Sequence, residues 1–254
     1  MRVVILGSSG PDGVRRQYSS TYLINSNVAI DAGYLGLHGP PEGQQAVRHV
    51  FLTHAHADHI ASLPLFLDNV WTSSDECPAV YGSAGTLATV RRCIFNDEVW
   101  PDLVAMSERM SPFLRLHSLE PEVPVSAAGL TITAVPVQHL VPTFAYVVQD
   151  DRSAVIFGAD SGPTTRLWEV AQQVPGLRAI FLEATFPNRM RSLAEASCHL
   201  TPSMVRQEVL KAPPRVKVIA VHLKVRFFDE IKRELQELGL PHLEIGECER
   251  EYVF

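Results

Sequence analysis

Long apolar runs are missing from this sequence: no stretch approaches the roughly 18 hydrophobic residues of a membrane span. The start, Met1-Arg-Val-Val-Ile-Leu-Gly7, has an apolar run of only four residues before its glycine. That is too short for a secretory signal and reads as a first buried strand, so a reducing cytoplasm is the expected location. Cysteine is scarce and scattered. Cys77, Cys93, Cys198 and Cys248 contain no CxxC pair, which argues against a disulfide scaffold or a structural zinc module. Positive charge is not in excess either: 22 Lys+Arg against 28 Asp+Glu give a net −6, with no general electrostatic footprint for nucleic acid. No repeat, low-complexity segment or charge run divides the chain, and the expectation is one domain over residues 1–254.

What is present is an ordinary folded composition, 46% hydrophobic and 20% charged, which excludes disorder and fibrous classes. Ten histidines stand out, and their positions matter more than their number. The apolar runs Val3–Leu6, Thr21–Asn25, Val28–Asp31 and His49–Thr53 read as strands, with Ser26-Asn27 as a hairpin turn. Gly7–Gly13 reads as a turn-forming loop. Apolar residues at helical spacing (Ile60, Leu63, Leu67, Val70) predict a helix over 60–70. Ser83 is placed to cap a helix reaching Phe95, and Thr201 to cap another reaching Leu210. β-Rich runs recur at 113–116, 130–137 and 144–149. From Ala154 on, strands (154–157, 179–182, 216–221) alternate with helices (164–173, 201–210, 226–238), the last closed by Gly239. The pattern suits an α/β domain with a two-layered sheet core and helices outside.

The segment Thr53-His54-Ala-His56-Ala-Asp58-His59 carries the chemistry. Imidazole nitrogen and carboxylate oxygen are ligand types accepted by zinc, manganese and iron. Residues two apart on an extended segment point the same way, so His54 and His56 can grip one ion together. Asp58 and His59, turned by the start of a helix, can face a second. A merely solvated His-rich loop would have no need to sit between an apolar strand and an amphipathic helix. His139, Asp160 and His222 each follow a strand, where polar residues are common; together they supply the ligands that the cluster lacks. A carboxylate such as Asp160 can bridge two cations.

HxHxDH followed by isolated His, Asp and His at strand ends resembles the metallo-β-lactamase superfamily of binuclear metallohydrolases over nearly the whole chain, including Asp31-Ala-Gly33 after the second hairpin strand. The resemblance implies an αββα sandwich: two packed mixed β-sheets flanked by helices. It also implies two divalent ions (Zn, Mn or Fe). One would be held by His54, His56 and His139, the other by Asp58, His59 and His222, with Asp160 bridging. Phe157-Gly-Ala-Asp160-Ser-Gly-Pro163, Glu183-Ala-Thr-Phe-Pro-Asn188, Ser197-Cys-His199-Leu-Thr-Pro202 and His222-Leu-Lys224 are similar to class II cyclic-nucleotide phosphodiesterases. Those enzymes read GDTG where this chain has Gly-Ala-Asp-Ser-Gly, and SGHLTP where it has Cys198. The block from Glu183 to His199 also resembles a loop of the tRNA 3′-processing endonuclease RNase Z.

Hydrolysis of a phosphodiester needs a nucleophilic hydroxide, charge neutralisation on the phosphate and a proton for the leaving oxygen. Two metals about 4 Å apart supply the first two. A histidine paired with a carboxylate can supply the third. Asp58, His199 and Glu183 are therefore the candidate catalytic residues, with Glu183 orienting a His199 that protonates the leaving 3′-oxygen; the competing role for His199 is a helix cap. Lys224 and Arg226 read equally as phosphate contacts and as a solvated helix start, and Phe186 as core. The expected activity is hydrolysis of 3′,5′-cyclic nucleotides such as cAMP or cGMP. An RNase Z-like endonuclease and a nucleotide-binding protein without turnover are the alternatives. The acidic balance weighs against tRNA, which requires several phosphate contacts from Lys and Arg. No membrane partner is expected, and the resemblance leaves a homodimer open.

Overall fold

The computed structural model describes residues 1–10 and 12–254. Its strands form two seven-stranded sheets. The first runs in space as Glu251–Val253, Arg2–Ile5, Tyr22–Ile24, Val28–Ile30, His49–Phe51, Ala79–Gly82, Arg115–Ser118; the second as Leu243–Ile245, Lys217–Val221, Leu177–Glu183, Ala154–Phe157, Thr143–Gln149, Leu130–Val137, Pro124–Ala127. From the C-terminal strand, the first sheet makes three antiparallel pairings and then three parallel ones. The second repeats that order from Pro124–Ala127. The strand–helix alternation expected from Ala154 on appears in the first half as well, where helices separate the parallel strands at 49–51, 79–82 and 115–118.

Alternating side chains explain the layers. Tyr22, Phe51, Tyr146, Phe157 and Phe181 point between the sheets into one core, where the rings of Phe157 and Phe181 stack at 5.0 Å. The opposite faces bury Ile156 and Ile180 against Leu167, Val205 and Ile231 of the helices on one side, and Val50 and Leu52 against Leu63, Phe66 and Leu67 on the other. Strands buried on both faces read as continuous apolar runs, which is how Ala154–Phe157 and Val218–Val221 look in the sequence. The result is a four-layered αββα sandwich.

Three local readings change. The helix expected over 60–70 is two, Ala57–Ile60 and Leu63–Val70, because Pro64 has no N–H for the Ile60 carbonyl and its ring would clash with it. The Gly7–Gly13 loop is part of a small ribbon in which Ser8–Ser9 pairs with Arg15–Arg16; Pro11 lies outside the described residues. Ser83 caps its helix through a bond from the Thr86 N–H, whereas Thr201 stands at a helix start without a side-chain cap bond. Gly239 closes the helix Phe228–Glu237 with φ +61°.

Candidate metal centre

The candidate ligands His54, His139, Asp160 and His222, and the carboxylate Asp31, sit just beyond the carboxyl ends of strands, where open α/β sheets place their sites. Asp31 follows Val28–Ile30, His54 follows His49–Phe51, His139 follows Leu130–Val137, Asp160 follows Ala154–Phe157 and His222 follows Lys217–Val221. The His54–His59 loop is stitched to the loop after Ile30. Ser20 N–H donates to Asp58 O (2.7 Å) and Ala32 N–H to His59 O (2.8 Å). The two backbones approach so closely that a Cβ on Gly33 would stand 1.9 Å from the Asp58 carbonyl oxygen. Gly33→Ala must push the ligand loop aside. It is expected to destabilise the protein by roughly 2–4 kcal/mol and to lower metal uptake, measured by thermal unfolding and by metal content after dialysis.

The structure brings the seven residues together. Ligand atoms of His54, His56, His139 and Asp160 lie within 4.8 Å of one another, as do those of Asp58, His59 and His222. Asp160 Oδ2 is 3.3 Å from His59 Nε2 and 3.8 Å from His54 Nε2, and its Oδ1 is 3.5 Å from His222 Nδ1. Asp58 Oδ2 is 3.4 Å from His222 Nε2. Two observations fit this donor set to divalent cations. The buried Nε2 atoms of His54 and His59 have no hydrogen-bond partner among the described residues, a costly state for a polar atom unless something else satisfies it. His139 donates Nδ1–H to the Cys198 carbonyl (3.1 Å), so its Nε2 is a bare acceptor, yet it stands 3.2 Å from His56 Nδ1. Such convergence suits a shared cation.

Sequence reasoning missed the threonines that aim these rings. Thr53 donates its hydroxyl proton to Asp31 and accepts from His54 Nδ1–H at 3.0 Å, while Asp31 Oδ2 accepts directly from His59 Nδ1–H at 2.7 Å. The second half repeats the device. Thr185 donates to Glu183 Oε2 (2.7 Å) and accepts from His222 Nδ1–H (2.9 Å), while Glu183 Oε1 accepts from His199 Nδ1–H (2.6 Å). Each buried carboxylate–threonine pair thus fixes the tautomer of two histidines and leaves their Nε2 atoms free. The signal in the sequence was a hydroxyl residue next to His54 and another two positions after Glu183. Thr185→Val keeps the shape but removes the relay; a loss of about 10–100-fold in metal affinity is expected, read by chelator competition.

The electrostatics of His54, His56, His139 and Asp160 suit metal ligation. Burial, aided by the charge of His59, pushes the His54 imidazole down to about 2, so it stays neutral, as a ligand must. Burial lowers His56 and His139 as well, against the pull of Asp160. Burial opposes the ionisation of Asp160, but His222 and His59 outweigh it and hold this carboxylate well below its ordinary range.

His199 does not cap a helix. Its side chain bonds to Glu183, whose two oxygens also accept from the backbone N–H groups of Ser161 (3.0 Å), Thr185 (3.2 Å) and Leu200 (3.0 Å). Burial disfavours the imidazolium, but the hydrogen bond and charge of Glu183 prevail and raise the His199 pKa. The ring lies 5.1 Å from that of His139. Ligand atoms of His199, Asp160 and His222 also fall within 4.8 Å, but Nδ1 of His199 is already committed to Glu183. Cys198 adopts φ +54°, a left-handed turn that a glycine would enter at no steric cost; the turn delivers its carbonyl to His139. Phe186 packs against the helix-side core, with its ring 5.6 Å from that of His199. Lys224 and Arg226 are exposed. Of the other histidines, His49 (3.3 Å from the Tyr81 hydroxyl) and His117 (stacked on Tyr81 at 5.0 Å) are strand residues.

Residues 26–223 match the family model described as "Beta-lactamase superfamily domain". A probable 3′,5′-cyclic-nucleotide phosphodiesterase of Yersinia pestis is 23% identical over 80% of this chain, which spans 64% of that relative's length. A ribonuclease Z of Mycobacterium sp. (strain KMS) is 25% identical over 77% of this chain and 75% of its own. Unliganded yeast PDE1 superposes with a TM-score of 0.76 at 18% identity, covering 96% of both chains; at that identity the likeness concerns the fold. No helix among the described residues is long and apolar enough to cross a membrane. The family match spans most of the chain, and the protein belongs to the metallo-β-lactamase superfamily.

Proposed function

We propose that this protein is a phosphodiesterase that hydrolyses 3′,5′-cyclic nucleotides to 5′-nucleotides. His54, His56 and His139 would hold one divalent ion (zinc, manganese or iron) and Asp58, His59 and His222 a second, with Asp160 between them. Such a pair of ions supplies Lewis acidity toward the phosphate oxygens and makes water a nucleophile at neutral pH. The observation that carries the phosphodiester reading is the 2.6 Å contact between Glu183 and His199 beside the ligand cluster. Opening a cyclic diester to the 5′-nucleotide expels the 3′-oxygen, a poor leaving group that needs a proton. Glu183 is buried, accepts from three backbone N–H groups, and favours the protonated form of His199. That leaves the His199 ring's other nitrogen, which has no protein partner among the described residues, to give the proton. Asp58, half-buried at the rim of the cluster, is held ionised: burial works against it, but His222 and His59 lower its pKa.

The net charge of −6 supports a small substrate, since binding a tRNA relies on many Lys/Arg–phosphate contacts. The similarity to a ribonuclease Z over 77% of the chain favours the second reading, a tRNA 3′-end endonuclease. Zinc- or manganese-loaded protein assayed on cAMP, cGMP and precursor tRNA distinguishes them. Conversion of a cyclic nucleotide to the 5′-nucleotide is expected. Cleavage of tRNA alone would overturn the proposal, and so would calorimetric binding of cAMP without turnover.

A further inference from the structure

A large cavity lies beside the metal centre rather than in it. It is a groove of about 730 Å3 between the Arg15–Arg16 strand and the helix Phe228–Glu237, and His222 is the one candidate ligand that lines it. Its floor is apolar, built from residues such as Ile5, Val221 and Ile245 at the flank where the two sheets meet. Four cations, Arg15, Arg16, Lys232 and Arg250, line the groove against two carboxylates, Glu244 and Glu247, on a chain that is acidic overall. Three of the cations are paired: Arg15 with Glu249, Arg16 with Asp12 and Arg250 with Glu247. Among the described residues Lys232 makes no ion pair.

Two residues that line this groove each carry a buried polar atom without a partner among the described residues: Gln17 the donor Nε2 and Glu244 the acceptor Oε1. Gln17 also accepts from the His222 N–H through its Oε1 (3.1 Å), at a residue held in the left-handed region with φ +56°. Apolar floor, cationic lining and an orphan donor and acceptor together describe an anion that carries a flat, heteroatom-edged apolar body. Pockets of this size take ligands of nucleotide dimensions, and a purine edge presents an acceptor and a donor side by side.

We propose that the groove binds a purine nucleoside monophosphate, the class of product expected from the metal centre, and that Gln17 ties its occupancy to His222. The choice of a nucleotide among such anions rests on the phosphodiesterase reading; the groove's demand for an amphipathic anion does not. The test is calorimetric titration of metal-loaded protein with AMP, adenosine and inorganic phosphate, repeated on Lys232→Glu and Glu244→Leu. AMP is expected to bind at least about tenfold more tightly than either fragment. Each substitution is expected to weaken AMP by about tenfold, the scale of one lost charged or hydrogen-bonded contact, and to leave the initial hydrolysis rate unchanged. Phosphate binding as tightly as AMP would reduce the groove to a bare anion site and overturn the proposal. Undiminished AMP binding by both variants would do the same, because the nucleotide would then sit at the metal centre; absence of AMP binding would end it outright. If cyclic nucleotides are not hydrolysed and yet AMP binding falls in Lys232→Glu, the groove stands and only the reaction assigned to the metal centre fails.

Discussion

Asp160→Ala is expected to abolish hydrolysis, with kcat/KM falling on the order of 10⁴-fold or more, equivalent to about 5–6 kcal/mol of lost transition-state stabilisation. This carboxylate is 2% exposed and stands within 3.8 Å of nitrogens from His54, His59 and His222. It therefore touches both halves of the cluster, and no neighbouring side chain can replace it. Alanine leaves those imidazoles facing one another with no anion between them. Metal content should fall together with activity. Asp160→Asn separates the two effects, since it keeps the shape and a hydrogen-bonding oxygen but carries no charge. It should fold like the parent by circular dichroism and still hold little metal. Retention of full metal content and rate by Asp160→Ala would remove Asp160 from the ligand set.

His199→Ala is expected to lower kcat for cyclic nucleotides by about 10²–10⁴-fold, the range for loss of a positioned general acid, with metal content unchanged. The second half of that expectation matters because the geometry also lets His199 approach Asp160 and His222; loss of metal in this variant would make it a ligand instead. Leaving-group chemistry gives a sharper discrimination. Bis(4-nitrophenyl) phosphate expels a stable phenolate that needs no proton, so its hydrolysis should be nearly unaffected by His199→Ala. An equal loss on both substrates would contradict an acid role. Glu183→Gln should reproduce the pattern more weakly, because it removes the charge that favours the imidazolium while keeping an acceptor for Nδ1–H.

Much of the site was legible because its residues are local or punctuate strands. The HxHxDH run places four candidate ligands together by the period of an extended chain and the start of a helix. His139, Asp160 and His222 could be nominated because Leu130–Val137, Ala154–Phe157 and Val218–Val221 announce themselves as buried strands. Where the reading erred, the cause is also identifiable. Apolar spacing extended the helix through Ile60, Leu63, Leu67 and Val70, all of which are buried, so periodicity identified the inward face; Pro64 alone decided that there are two helices. The ribbon of Ser8–Ser9 with Arg15–Arg16 was hidden because paired segments of two residues carry no alternation to detect.

By itself the sequence determined which residue types could ligate metal and which segments were strands buried on both faces, since both follow from short-range pattern and side-chain chemistry. Only the tertiary structure decided how the rings are aimed. Thr53 is bonded to Asp31 from 22 positions away, Thr185 to His222 across 37, and His139 to the Cys198 carbonyl across 59. The groove, too, exists only because residues near Gln17 and near Glu244, at opposite ends of the chain, close on the flank where the sheets meet. Hydrogen bonds and cavities of this kind depend on which strand ends the packed sheets bring together, and that is a property of the assembled core rather than of any segment in it.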